Sequence, residues 1–247
     1  MYNEFKDKID LLFYDCSIEV REHLAKAFAY LYSTNQNEVI NIFDMLCKIK
    51  EKHQEFLIVF SNKSNFDNNE NVINLARNNY LVLIHEIAHA IHYYCNGYNV
   101  PKDFYNVREE IIDNQEVLNN SNHLLTFLDE YIKKISLQAD DSNVSDSEYD
   151  YLLLEQKRLL ETKDFVDALY GGITGSGHGS RYYEKDDDKS LAFSEMFANF
   201  VVIKSLKDSD RIILLLKNVF GKKLIEIFER EYYEMIVFYK NNDKKAI

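Results

Sequence analysis

The chain has almost no proline, no tryptophan, and few glycines or cysteines. Its 247 residues include one proline, seven glycines and three cysteines. Three cysteines cannot build a disulfide framework, which indicates a reducing compartment. With proline nearly absent, long helices are uninterrupted. These absences favour a mainly helical protein.

The sequence also lacks long apolar runs and an excess of positive charge. No stretch approaches ~18 uncharged apolar residues, so we expect no membrane span. The start MYNEFKDKIDLLF does not resemble a secretion signal, so we expect a cytoplasmic protein, with non-classical export as the alternative. The 29 Lys and Arg against 41 Asp and Glu give a net charge of −12, which argues against nucleic acid as a partner.

What is present fits a folded α+β protein that is predominantly helical. Apolar residues make up 46% of the chain, which excludes a disordered one. Residues 1–55 predict an N-terminal segment of two or three amphipathic helices, which is either separate from 56–247 or part of the same domain. Phe56–Phe60 predicts a strand, either an edge strand that aligns a peptide or an ordinary core strand. The other expected helices are listed here: 72–94, 107–137, 148–169, 190–206 and two within 208–240.

The most specific motif is His85-Glu86-Ile87-Ala88-His89. Two histidines at i and i+4 stand ~40° apart around a helix, so both rings can reach one zinc ion. Glu86 lies ~100° from His85, which suits a general base that acts on metal-bound water. The apolar flanks predict a buried helix, whose polar side chains need partners. The alternative is a core helix whose histidines bind carbonyl groups.

A catalytic zinc ion needs one more protein ligand and leaves the fourth position to water. Glu195 is the candidate, because it is an isolated acid on the apolar helix LAFSEMFANF. Asn199, one turn further, could hold a ligand side chain by a hydrogen bond. The alternative makes Glu195 a surface acid. His92 is interpreted as a wall of the cleft or a half-exposed residue.

HEIAH and the distant AFSEMFANF helix resemble the gluzincin metallopeptidases. One branch is the lethal-factor-like and Pro-Pro endopeptidase group. The other is the zincin-like domain of phage minor head (head morphogenesis) proteins, whose G-x-G-H-x-x-x-Y segment and A-F-x-E-M-F helix are similar to 175–183 and 192–197. The resemblance implies that 56–247 is a zincin-like catalytic domain. It implies one Zn²⁺ held by His85, His89 and Glu195, with Glu86 as base, and it admits a phage-associated location.

A glycine-rich segment, Tyr170–Tyr183, is expected to be a loop that meets the substrate. In the lethal-factor-like group a tyrosine upstream of the ligand glutamate stabilises the oxyanion. Tyr182 or Tyr183 could take that role, and His178, between two glycines, is the other candidate. The alternative for all three is ordinary loop packing.

These features predict a zinc endopeptidase that hydrolyses a peptide bond with metal-activated water and Glu86 as general base. The expected partner is a peptide or protein substrate. The alternative is a zinc-binding structural or interaction protein without protease activity, associated with a phage head or a toxin system. A third reading, a toxin or effector protease, differs from the first only in its substrate. The oligomeric state stays open.

Overall fold

The computed structural model describes residues 1–76, 79–141, 143–174 and 189–241; for residues 189–191 it describes the backbone only. These residues form a predominantly helical α+β fold with one small sheet, which confirms the predicted class. The elements are α1 Tyr2–Leu12, α2 Ile18–Tyr32, α3 Gln36–Lys52, β1 Leu57–Ser61, β2 Asn65–Asp67, β3 Val72–Ala76, α4 Tyr80–Asn96, α5 Lys102–Ile112, α6 Gln115–Ala139, α7 Asp146–Thr174, α8 Lys189–Ser205, α9 Ser209–Phe220 and α10 Lys222–Asn241. No helix among the described residues is long and apolar enough to cross a bilayer.

The chain divides into two compact units, and the first comprises residues 1–99, 204–207 and 229–247. Its three N-terminal helices match the prediction for residues 1–52. Phe5, Phe28 and Phe43 fill their interior, with Phe28 and Phe43 ring centroids 4.8 Å apart. Helix α3 packs against α4, and α4 packs against β2 and β3. The first unit is therefore a helical layer on a small sheet.

The sheet has the strand order β1-β3-β2, with β1 parallel and β2 antiparallel to β3. The prediction of one helix over 72–94 was wrong at its start, because β3 occupies Val72–Ala76. Ile73 and Leu75 alternate inward with half-exposed neighbours, the two-residue period of a strand. The buried Lys50 ammonium donates to Asp15 and to the carbonyl of Phe56, which fixes the chain where it enters β1.

The second unit comprises residues 100–203 and 208–228. Its core is aromatic, with Phe193 stacked on Phe228 at 5.3 Å between ring centroids and Phe104 edge-on to Phe193 at 5.0 Å. The predicted helix 107–137 is interrupted, because Asn114 caps α6 by accepting from the N–H groups of Glu116 and Val117. A new helix start therefore falls inside the predicted helix.

Helices α6 and α7 form an antiparallel hairpin with a regular ladder of polar contacts. The contacts recur every seven residues along both helices: Asn122 with Tyr170 at 3.2 Å, Asp129 with Lys163 at 2.8 Å, and Ser136 with Gln156 at 2.7 Å. A seven-residue repeat is the period at which two helices keep the same faces together. The hairpin is therefore a short antiparallel coiled coil.

The glycine-rich segment begins inside a helix and not in the predicted loop. Gly171 and Gly172 belong to the last turn of α7, and Gly172 is closely approached by Met196 of α8. The Arg108 guanidinium donates to the Gly172 carbonyl at 3.3 Å, which satisfies a carbonyl at the end of the helix. Because Gly172 has no Cβ atom, α8 can pack closely against α7 at this point.

Candidate metal centre

Helix α4, which carries the HEIAH motif, has defined ends. The Asn79 side chain accepts from the Leu81 N–H at 2.9 Å, and Gly97 ends the helix in the left-handed region with φ 66°. The Gly97 N–H donates to the Tyr93 carbonyl at 2.7 Å, a common way for a glycine to end a helix. These caps fix where the helix begins and ends, and hence which residues face inward.

The two motif histidines turn their rings toward one another. The Nε2 atoms of His85 and His89 lie 3.1 Å apart, and the ring planes are inclined by 78°. At this separation one neutral ring can donate to the other, and both lone pairs can also address one cation. His89 is buried and His85 is half-buried, so the pair is reachable from one side.

Glu86 and His92 lie on the same helix in more enclosed positions. Glu86 is 6% exposed and His92 is 0% exposed, so the expectation that His92 is half-exposed was wrong. Its ring packs edge-on to Tyr98 with centroids 5.4 Å apart. Burial, with the neighbouring His89 as a smaller cause, lowers the pKa of the His92 imidazole to about 3, so this ring is neutral.

Helix α8 presents Glu195 on the face opposite to its aromatic anchors. Phe193 and Phe200 contact Phe228 in the core of the second unit. At ~100° per residue, Glu195 lies ~140–200° around the helix from both rings. The carboxylate is half-buried, because the phenylalanines occupy the buried face. The isolated acid noted in the sequence therefore points away from that core.

His85, His89 and Glu195 form a group that can hold a metal ion. Each offers one ligand atom, and these atoms lie within 4.8 Å of one another. Two imidazole nitrogens and one carboxylate oxygen form a donor set that zinc uses in catalytic sites. These three residues are the group of this kind among the residues that the structure describes. The donor chemistry therefore fits a zinc ion, and it supports the choice of Glu195 made from the sequence.

The other predicted site residues contribute less to this geometry. The Asn199 amide donates to the main-chain carbonyl of Glu195 at 2.9 Å, a contact within one helix turn. A role for Asn199 in orienting a ligand side chain stays a prediction. Tyr182, Tyr183 and His178 lie outside the described residues.

Cys95 follows the motif but is not a ligand candidate. Burial raises the pKa of its thiol to about 11, and Glu231 and Glu234 add to this effect. A thiol with so high a pKa stays protonated at neutral pH, whereas a metal ligand must be a thiolate. Cys95 is therefore an inert thiol in this environment.

β1 is at one edge of the sheet, as one of the two sequence interpretations requires. A groove of about 280 Å³ runs beside it, lined on one side by Asp15, Cys16 and Ser17. The Cys16 thiol hydrogen-bonds the backbone of Ile58, so part of this edge is covered. Pairing of a substrate with β1 stays a prediction.

Comparison of the chain with protein-family models, curated proteins and solved structures finds no match in any of the three.

Proposed function

We propose that this chain is a zinc endopeptidase of the gluzincin type. The observation that supports it most is that the ligand atoms of His85, His89 and Glu195 lie within 4.8 Å of one another. A bound zinc ion would lower the pKa of water to ~7 and polarise a carbonyl oxygen. A His₂Glu donor set with a free fourth position is typical of catalytic zinc sites.

Glu86 supplies the base that the proposal needs. Its position between the two histidines and its low exposure of 6% hold the carboxylate in a site with little water. It takes a proton from the attacking water and then gives that proton to the leaving amine, so no net proton remains on the residue. A purely structural zinc site has four protein ligands and no metal-bound water to deprotonate, so a base at this position favours the enzyme over the structural alternative.

The proposed substrate is a peptide or protein, and nucleic acid is disfavoured by the net charge of −12. The resemblance to lethal-factor-like enzymes and to phage minor head proteins is carried by the HEIAH motif and the helix around Glu195. Both branches have the two histidines and the glutamate as ligands, so the proposal applies to either branch. A protein of either branch would use the same three ligands and the same base.

The test compares wild type with Glu86→Gln, which keeps the shape of the side chain but removes the base. Zinc content is measured by elemental analysis after dialysis, and cleavage is measured on a peptide library. We expect one zinc ion per chain in both proteins and a loss of cleavage of about 10²–10⁴-fold in the variant. A wild type that holds zinc, cleaves nothing and unfolds when zinc is chelated would support the structural alternative instead.

A further inference from the structure

The distal part of the α6–α7 hairpin is a projection without a buried core. The helices stay paired through Ser136 and Gln156, yet no described residue from 136 to 161 is buried. We define the hairpin tip as the described residues of 137–154, which exclude Ser142. Stability of this tip comes from the contact between its two helices and from the connection to the rest of the hairpin.

The hairpin tip exposes large apolar side chains. Leu137 and Tyr151 are 74% and 64% exposed, and Leu153 and Leu154 are 40% and 48% exposed. Tyr149 is also exposed, one turn before Leu153 on the same helix face. At ~100° per residue Tyr151 and Leu154 lie on another side of α7, so exposed apolar side chains surround the helix at the tip. Exposed apolar surface of this extent marks interaction sites more often than single side chains do.

The charge around these side chains has one sign. Between Lys134 and Lys157 the sequence contains no lysine or arginine. The same stretch contains six acids: Asp140, Asp141, Asp146, Glu148, Asp150 and Glu155. Glu155 pairs with Arg158 at the base of this stretch. The other five acids repel each other at low salt, and a partner of opposite charge would relieve that repulsion.

We propose that the hairpin tip is a docking surface for a partner protein that presents a basic amphipathic helix. Leucines of the partner would cover Leu153 and Leu154, and its lysines or arginines would face the surrounding carboxylates. A helix laid against two helices is a common mode of recognition. A second copy of this chain is disfavoured, because it would bring two acidic tips together. The inference does not rest on the metal centre.

The probe is a fluorescent model helix of about 18 residues, with leucines on one face and lysines on the other. A matched peptide has glutamate in place of each lysine. Anisotropy is measured on the full-length Glu86→Gln protein, so that proteolysis cannot consume the probe. We expect the lysine peptide to bind, the glutamate peptide not to bind, and the affinity of the lysine peptide to fall as salt is added.

Two hairpin variants and one control locate the binding. The triple variant Asp146→Asn, Glu148→Gln, Asp150→Asn removes three charges, and the double variant Leu153→Ser, Leu154→Ser removes the apolar contact. Each should weaken binding by about tenfold, since several exposed pairs or two leucine contacts are lost. The control Glu4→Gln, Asp7→Asn, Glu19→Gln removes the same charge from exposed acids of α1 and α2 and should change affinity less than about twofold.

Three outcomes would overturn the proposal. The first is equal weakening by the control, which would make the attraction a general effect of net charge. The second is equal binding of both peptides or of neither. The third is a wild-type dimer in sedimentation at low and high salt that the leucine variant dissociates, which would make the occupant a second copy. Circular dichroism of each variant confirms that the helices are intact.

Discussion

The Sδ atom of Met196 lies 2.6 Å from the position that a Cβ atom on residue 172 would occupy. Met196 is fully buried and is the neighbour of Glu195 along α8. The absence of a side chain at Gly172 therefore lets α7 approach the helix that carries the third candidate ligand. Glycine permits such a close approach because it has no Cβ atom.

Gly172→Ala should destabilise the protein in spite of the better helix propensity of alanine. Alanine gains about 1 kcal/mol over glycine inside a helix, but an overpacked core costs typically about 1–3 kcal/mol. We expect a net loss of about 1 kcal/mol by denaturant unfolding. In a Met196→Ala background the added methyl group has room, so the same change should stabilise. A loss of equal size in both backgrounds would contradict the contact.

Glu38 of α3 contacts one side chain of α10 and one from the C-terminal end of α8, and all three residues belong to the first unit. Its carboxylate accepts from the Tyr232 hydroxyl at 2.9 Å and pairs with the Lys204 ammonium at 3.2 Å. Burial is the main cause that raises the pKa of the Tyr232 phenol well above its ordinary value, so it is a constant donor. Glu38 thereby holds Lys204, near the end of α8, to α3.

Glu38→Ala should lower the free energy of unfolding by about 1–3 kcal/mol, because the buried Tyr232 hydroxyl loses this acceptor. Urea unfolding measures the loss. In a Tyr232→Phe background the substitution should cost less, since the donor is already gone. Equal costs in both backgrounds would mean that the hydrogen bond does not couple the two residues.

Glu195→Ala should weaken zinc binding by more than about 100-fold, beyond the ~10–100-fold effect of losing a hydrogen-bonding partner of a ligand. Competition with a chromophoric chelator measures the affinity. Asn199→Ala is the matched comparison on the same helix: its amide donates to the Glu195 main-chain carbonyl, so its loss should cost no more than the ~10–100-fold of a hydrogen-bonding partner. Unchanged affinity in Glu195→Ala would remove this residue from the ligand set, whatever the result of the peptidase assay.

Glu161 on α7 should make stability fall as pH rises. Partial burial, with the nearby Asp164 as a smaller cause, raises the pKa of its carboxyl to about 7. The unfolded chain has the ordinary, lower pKa, so the folded state binds more protons between about pH 4.5 and 7. Its contribution is therefore most favourable below that window and is lost through it.

Glu161→Gln should raise the melting temperature more at pH 8 than at pH 4.5, because the ionised carboxylate is the unfavourable form. Thermal unfolding at both pH values measures the difference. Asp167→Asn, an exposed acid of the same helix, is the control and should give no such pH-dependent gain. An equal gain from Glu161→Gln at both pH values would contradict the raised pKa.

Local patterns predicted most of the helices, and they singled out the three candidate ligands that the structure brings together. His85 and His89 share one helix face by spacing alone, and Glu195 was recognisable as a single acid among apolar residues. The stop at Gly97 followed from glycine and the proline beyond it. In each case the physical cause acts within a few residues, so it is visible in the sequence.

The misses came from causes that act over longer distances. Val72–Ala76 is apolar and directly precedes the motif helix, so only its pairing with β1 and β2 distinguishes it as a strand. Gly172 is approached by Met196, which lies 24 positions later in the chain. His92 shares an apolar helix with the ligands, but its complete burial depends on Tyr98 and the turn after Gly97. None of these causes has a local signature.

Because the polar contacts between α6 and α7 repeat every seven residues, the α6–α7 hairpin can be regarded as an arm built from repeating seven-residue units. Excising one heptad from each helix would shift the loop inward yet leave the Asn122–Tyr170 and Asp129–Lys163 rungs aligned. Removing a single residue from one helix would rotate every more distal side chain by ~100° out of register. Homologues of this protein should therefore vary the length of the arm in paired heptads, and an engineer could shorten it by the same increment without rebuilding its base.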